Sequence, residues 1–133
     1  MPRFLCREDP RHGDPMNLKK KQIGPGIVVL EMADRITSGR DCQRIYEEVE
    51  LLIREGQTRI IFDLSGVHYI DSAAVGSIVR SLCTLKNSGG TLRLAGAKGM
   101  VQGVLRLTHV DRVIGIYPTA GEACQDASSP TNP

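Results

Sequence analysis

The feature that most constrains the fold is the run Ile60-Ile61-Phe62-Asp63-Leu64, which is almost continuously apolar. A strand of this kind needs cover on both faces, as the central strand of an α/β sheet has. Before it, apolar residues recur at helical spacing over about residues 41–55, where Gly56 marks the end. After it, a second helical pattern continues to Gly89-Gly90. The chain therefore places a buried strand between two amphipathic helices.

The alternation of strands and helices continues on both sides of this unit. Before it, the pattern predicts a hairpin of two strands, at about residues 18–23 and at Ile27–Leu30, around the turn Gly24-Pro25-Gly26. After it, the pattern predicts a strand at Leu92–Ala95, a helix over about 100–105, a strand at Val113–Ile116 and a helix opened by a capping box at Thr119–Glu122. This order indicates an α/β fold with a mixed central sheet, parallel pairs and about four helices.

The 133 residues are enough for one domain, which we predict at residues 17–125. Residues 1–16 combine prolines with charges of both signs and are expected to form a disordered leader. Residues 126–133 are expected to form a flexible tail. Met1 and Met16 are alternative candidates for the start of translation.

Composition argues against several classes of function. Aromatic residues make up 4% of the chain and there is no Trp, which disfavours proteins that stack nucleic-acid bases. The net charge is +2, and Lys19-Lys20-Lys21 is expected to be a solvated strand edge. No direct nucleic-acid partner is therefore predicted.

The spacing of cysteines and histidines predicts neither a metal site nor a cofactor. The four cysteines form no C-x-x-C pair, and the three histidines lie far apart in the chain. There is no P-loop and no G-x-S-x-G elbow. No apolar stretch reaches the ~20 residues of a membrane span, and the N-terminus lacks the apolar core of a secretory signal. We expect a cytoplasmic protein without a membrane partner.

The segment most relevant to function follows the buried strand. The sequence Asp63-Leu64-Ser65-Gly66-Val67-His68-Tyr69-Ile70 is expected to end the strand in a turn, and Asp71-Ser72 then opens a helix. Ser72 is expected at the N-cap or one residue from it, where its hydroxyl could accept a backbone N–H bond. Small residues after it leave the helix start open to a partner. Two interpretations remain, a capping serine and a modified serine.

The segment DLSGVHYIDSAAVGSIV resembles the signature of STAS domains, the family of bacterial anti-sigma-factor antagonists. The family's typical form is a strand followed by D-S-[SA]-G-L-G at the start of a helix. The resemblance extends over about residues 17–125 and includes the later strand in GGTLRLAG.

The resemblance implies a protein-interaction switch without catalytic residues. Ser72 aligns with the serine that an anti-sigma factor, itself an ATP-dependent serine kinase, phosphorylates. The unphosphorylated antagonist binds the anti-sigma factor and frees a sigma factor, and a phosphatase reverses the modification. The implied partner interface consists of Asp71, Ser72, Ala73, Val75, Gly76 and Thr37.

The sequence departs from the family pattern near the end of the second predicted strand. Asp34 stands where glycine is usual, and Thr37 stands where Asp often contributes to the partner surface. An alternative function is a STAS module serving as a soluble subunit of a transport or lipid-trafficking system, with Ser72 only a helix cap. A third is an enzyme with Ser72 as nucleophile.

Overall fold

The structure, a computed structural model, describes residues 17–37 and 39–127. The predicted leader 1–16 and residues 128–133 of the predicted tail lie outside the described residues. The strands are β1 (Asn17–Gly24), β2 (Ile27–Ile36), β3 (Arg59–Ile70), β4 (Thr91–Ala95) and β5 (Gly115–Tyr117). The helices are α1 (Arg40–Arg54), α2 (Ser72–Asn87), α3 (Gly99–Leu107) and α4 (Ala120–Ala127), with a 3₁₀ turn at Val110–Arg112.

The strands form one mixed sheet in the order β1-β2-β3-β4-β5. β1 pairs with β2 in an antiparallel hairpin, and the turn between them contains Gly26 at φ 72°. β2, β3, β4 and β5 run parallel, so the sheet edge where they end also carries the starts of α1, α2 and α3. The predicted α/β class, the hairpin and the mixed sheet are confirmed.

The two faces of the sheet are covered to different extents. The first face packs against α1, α2 and α3 and forms the main core, with fully buried Leu30, Phe62 and Ile78 among its members. The second face has a smaller cluster, in which Ala123 of α4 packs with Ile61 and Val29. Central β3 is thus covered on both sides over Ile60–Phe62, as its apolar run predicted. Within the described ranges, no helix has both the length and the apolar character that crossing a bilayer requires.

β3 is longer than the sequence indicated. The strand was expected to end at Leu64 in a turn containing His68, but it continues to Ile70, so His68 lies in the strand. Between Leu64 and Ile70 the sequence contains residues typical of turns. Two irregularities in the β2–β3 register accommodate them within the strand. They behave as β-bulges, which let a strand bend and still continue. Val67 and Ile70 remain buried, and this burial holds the extension in place.

β5 also differs from its predicted position. We expected a strand at Val113–Ile116, whereas β5 begins at Gly115. The backbone N–H of Ile114 donates to the Val110 carbonyl at 3.0 Å, so it cannot join the ladder with β4. The predicted cap at Thr119 is present, because its Oγ1 accepts the Glu122 N–H at 3.2 Å.

Candidate functional site at the start of α2

Asp71 is the residue that caps α2. Its backbone is extended, with φ −109° and ψ 180°, and its Oδ1 accepts the Ala74 N–H at 2.8 Å. Its carbonyl accepts the Val75 N–H at 3.2 Å, which begins the helical bonding. The expectation that the Ser72 hydroxyl makes the capping bond is therefore wrong. Ser72 lies one residue further on, at the first helical position, which is one of the two positions expected for it.

Ser72 is exposed at this helix start. Its hydroxyl makes no hydrogen bond to any residue in the described ranges. Ala73 and Gly76 are exposed beside it, and Asp71 is half-buried. Val75 was predicted to lie on the same accessible surface, but that expectation is wrong, because Val75 is only 7% exposed and packs in the main core.

Thr37 reaches the site because the ends of β2 and β3 are in register. Ile36 pairs with Ile70, and the Asp71 N–H donates to the Ile36 carbonyl at 3.4 Å. Thr37 follows directly and is half-buried. Its backbone N–H and its Oγ1 both donate to Asp41 Oδ2, at 3.0 and 3.1 Å. The structure thus brings Thr37 to the edge that carries Asp71 and Ser72, held by the first turn of α1.

A groove of about 560 Å³ runs between α1 and α2 and begins next to this edge. Its lining is Gly39, Cys42, Gln43, Tyr46, Ala73, Gly76, Ser77 and Arg80. At one end, the Arg80 guanidinium stacks 4.6 Å from the centre of the Tyr46 ring. Small residues of α2 therefore form one wall of the groove. The Arg80 guanidinium of α2, stacked on the Tyr46 ring of α1, bridges the two helices.

The sequence interpretation missed the α1 side of this groove. Cys42 and Tyr46 are one helical turn apart on α1, and Gly76 and Arg80 are one turn apart on α2. That i, i+4 spacing was available in the sequence. The contact between the two helices was not, because it depends on how they lie across the sheet.

Cys42 is held as a neutral thiol. Burial raises its pKa, the nearby carboxylates Asp71 and Asp41 raise it further, and a hydrogen bond with Ser77 opposes them. The thiol donates to the Thr37 carbonyl at 3.3 Å. Because the thiolate is the nucleophilic form, these surroundings do not activate Cys42 as a nucleophile.

Asp34 has a backbone conformation that explains the departure noted in the sequence. Its φ is 74°, in the left-handed region that favours glycine. The residue lies at one of the irregularities in the β2–β3 register. The backbone at this position therefore favours glycine. Aspartate is one of the few other residues that tolerate the left-handed conformation, and Asp34 adopts it.

Comparison with known proteins places this geometry in a family. A family model of the STAS domain matches residues 19–123. The chain therefore belongs to the STAS domain family, as the motif at Asp71-Ser72 and the order of elements indicated.

Individual relatives agree with this assignment. A Thermotoga maritima protein named as an anti-sigma factor antagonist is 38% identical over 74 residues, which cover 56% of this chain and 66% of that protein. A crystal structure of a T. maritima protein with the same description has a TM-score of 0.76 at 29% identity, covering 84% of this chain and 95% of the other.

A more distant structure shares the fold. The anti-sigma factor antagonist SpoIIAA of Bacillus, in its unphosphorylated form, has a TM-score of 0.74 at 17% identity, covering 87% of this chain and all of the other. At this level of identity the likeness concerns the fold alone.

Proposed function

We propose that this protein is an anti-sigma-factor antagonist whose binding is switched off by phosphorylation of Ser72. In its unmodified form it binds an anti-sigma factor that is also a serine kinase, and so releases a sigma factor. A phosphatase restores the unmodified form. The protein acts in the cytoplasm as a binding protein and has no catalytic residue of its own.

The observation that supports the proposal is that Asp71, and not Ser72, caps the helix. Asp71 makes the capping bond to Ala74, so the fold does not use the Ser72 hydroxyl. The hydroxyl is exposed and free to react with a kinase. A serine needed only as a cap would make a bond of the kind that Asp71 makes instead.

The electrostatics at this position suit a binding switch. A phosphoserine carries about two negative charges near pH 7 and a bulky hydrated group. At the first helical position it would lie near unpaired backbone N–H groups and the positive end of the helix dipole, which lets the fold accept it. A partner surface packed over Ser72 would face the added charge next to the Asp71 carboxylate.

Gly76 supports the view that a partner packs on this surface. It lies inside α2, where glycine is less stable than alanine. A Cβ added at Gly76 would meet no described atom within 4 Å beyond its chain neighbours and the nearby backbone of its own helix, so packing inside the domain does not require glycine here. A partner that approaches the helix backbone closely at the groove would require it.

The relatives support the same role. The T. maritima protein that is 38% identical over the aligned segment is named as an anti-sigma factor antagonist. The segment covers 66% of that protein, so we transfer the role as a proposal. The family's interface position at Thr37 has lost its usual Asp, but a carboxylate is still present there, because Asp41 binds the Thr37 hydroxyl.

The proposal is tested by incubating the purified protein with ATP and each anti-sigma-factor kinase encoded in the same genome. Mass mapping should then find phosphate on Ser72. Ser88→Ala is the matched control, because Ser88 is an exposed serine that follows the same helix. Phosphorylation should survive Ser88→Ala and be lost in Ser72→Ala. Phosphate on another residue in the wild-type protein would overturn the proposed switch.

The same purified protein distinguishes the alternatives from the sequence. Stable association with a transport ATPase, and with no kinase, would favour a subunit of a transport or lipid-trafficking system. Steady turnover of an ester that is lost in Ser72→Ala would favour an enzyme.

A further inference from the structure

Most residues of the helix α3 are apolar. Of its nine residues, only Gln102 and Arg106 are polar. Its buried side is formed by Val101 and Leu105, which pack in the main core. α3 is buried on one side only.

Beside this buried side, α3 carries a second apolar stripe, whose member Val104 is partly buried against the main core. Met100, Gly103, Val104 and Leu107 lie at positions i, i+3, i+4 and i+7 and so share one face of the helix. Leu107 is 81% exposed and Met100 is 43% exposed. Val113, beyond the 3₁₀ turn that contacts α3, is exposed as well. We call the face formed by Met100, Gly103, Val104 and Leu107 the α3 stripe.

Gly103 lies in the middle of the α3 stripe. Glycine inside a helix is less stable than alanine because its backbone loses more freedom on folding. A Cβ added at Gly103 would meet no described atom within 4 Å beyond its chain neighbours and the nearby backbone of its own helix. Nothing inside the domain therefore requires glycine here. Its effect is to leave a notch between Met100 and Leu107 through which another backbone could approach α3.

The charges around the α3 stripe are mainly positive. Residues 98–113 include three basic side chains, Lys98, Arg106 and Arg112, and one acidic side chain, Asp111. The three basic residues are exposed, and within residues 17–37 and 39–127 none of them forms an ion pair. The stripe thus belongs to a segment in which exposed basic side chains outnumber acidic ones.

We propose that the α3 stripe binds an amphipathic helix of a partner protein, one with acidic residues beside its apolar face. The acidic flank matches Lys98, Arg106 and Arg112. A second copy of this chain does not fit a two-fold pairing of the stripe, since its basic residues would face each other. The notch at Gly103 fits a ridge of side chains on a helix, whereas a flat lipid surface requires no notch. This binding is separate from phosphorylation of Ser72.

Photo-crosslinking tests the proposal in cells that contain the natural partners. A benzophenone amino acid replaces Leu107 in the full chain, and the crosslinked segment is identified by mass mapping. Leu51 on α1 is the matched control position, because it is an exposed leucine on another helix, at 39% exposure. The expected product joins Leu107 to a helical segment with acidic residues flanking an apolar stripe. Crosslinks to a second copy, to lipid, or at no higher yield than from Leu51 would overturn the proposal.

Binding of the identified segment, as a synthetic peptide, then separates contact from folding. Leu107→Glu and Arg106→Glu should each weaken binding about tenfold or more, and Leu51→Glu should leave it unchanged. Gly103→Ala should raise the thermal midpoint of unfolding and still weaken binding, an outcome that loss of structure cannot produce. Binding that is unaffected by Gly103→Ala and Leu107→Glu would contradict the proposal.

Discussion

The Asp71 carboxylate accepts the backbone N–H of Ala74 at 2.8 Å, and this bond fixes the start of α2. Asp71 therefore stabilises the helix start, whereas the neighbouring Ser72 hydroxyl has no role in the fold. The two residues of the motif thus contribute differently to the fold, and substitutions can separate their contributions.

Asp71→Ala should destabilise the domain by about 1 kcal/mol, because it removes a side-chain cap. Ser72→Ala should change the free energy of unfolding by less than about 0.5 kcal/mol, as is usual for surface substitutions. Urea unfolding of the two variants measures both effects. A larger loss in Ser72→Ala than in Asp71→Ala would contradict the assignment of the cap.

Ser72→Glu should weaken binding to the cognate anti-sigma factor by roughly tenfold or more, while Ser72→Ala binds like the wild type. The added charge would lie beside Asp71 under the partner. Gln125→Glu is the control, since it adds one charge at an exposed position of α4, on the other face of the sheet. Isothermal titration of the three variants decides the matter. Equal affinities would show that the partner does not sense charge at Ser72.

Gly76→Ala should stabilise the isolated domain by about 0.5–1 kcal/mol, because alanine is favoured inside a helix and the new methyl group meets no neighbour. The same methyl group should weaken binding of the anti-sigma factor at the groove between α1 and α2. Unfolding and titration are measured on the same preparation. Unchanged affinity would remove Gly76 from the interface.

Asp34→Gly should stabilise the domain, by up to about 1 kcal/mol, because it relieves a side chain at φ 74°. Asp34→Val should destabilise it, since a β-branched residue tolerates this region poorly. Thermal unfolding of both variants provides the measurement. If Asp34→Val proved as stable as Asp34→Gly, the left-handed backbone at this position would be refuted.

Cys42 should make stability depend on pH in the alkaline range. Its pKa is raised in the folded state above the ordinary value of 9.0, mainly by burial, so the folded form favours the neutral thiol. The resulting stability is present below the unfolded pKa and is lost as pH rises through the folded pKa. Unfolding should therefore become easier above about pH 9 in the wild type and less so in Cys42→Ala. Cys83→Ala, which removes an exposed thiol of α2, is the matched control.

The sequence was enough to predict the class of fold. The apolar run Ile60–Leu64 identified the central strand, and the parallel order of strands brought Thr37 and Asp71 to one edge. It did not show that β3 continues to Ile70, because bulges place turn-like residues inside a strand. It also could not show which residue of Asp71-Ser72 makes the cap, since both side chains can do so.

Burial was the other property that local reasoning could not fix. Val75 is buried and Gly76 is exposed, although they are adjacent in the sequence, because consecutive residues of a helix point in directions about 100° apart. The contact between Tyr46 and Arg80 depends on the approach of two helices that are distant in the chain.

The free hydroxyl of Ser72 has a consequence for how long the protein persists in the cell. If Ser72 is the proposed phosphorylation site, its modification would alter what the protein binds and, since the fold makes no bond through the hydroxyl, leave its resistance to unfolding and proteolysis nearly unchanged. The whole pool could then pass back and forth between its two forms many times without loss of material. A signal stored in this way would persist until an enzyme erased it, independent of the synthesis of new chains.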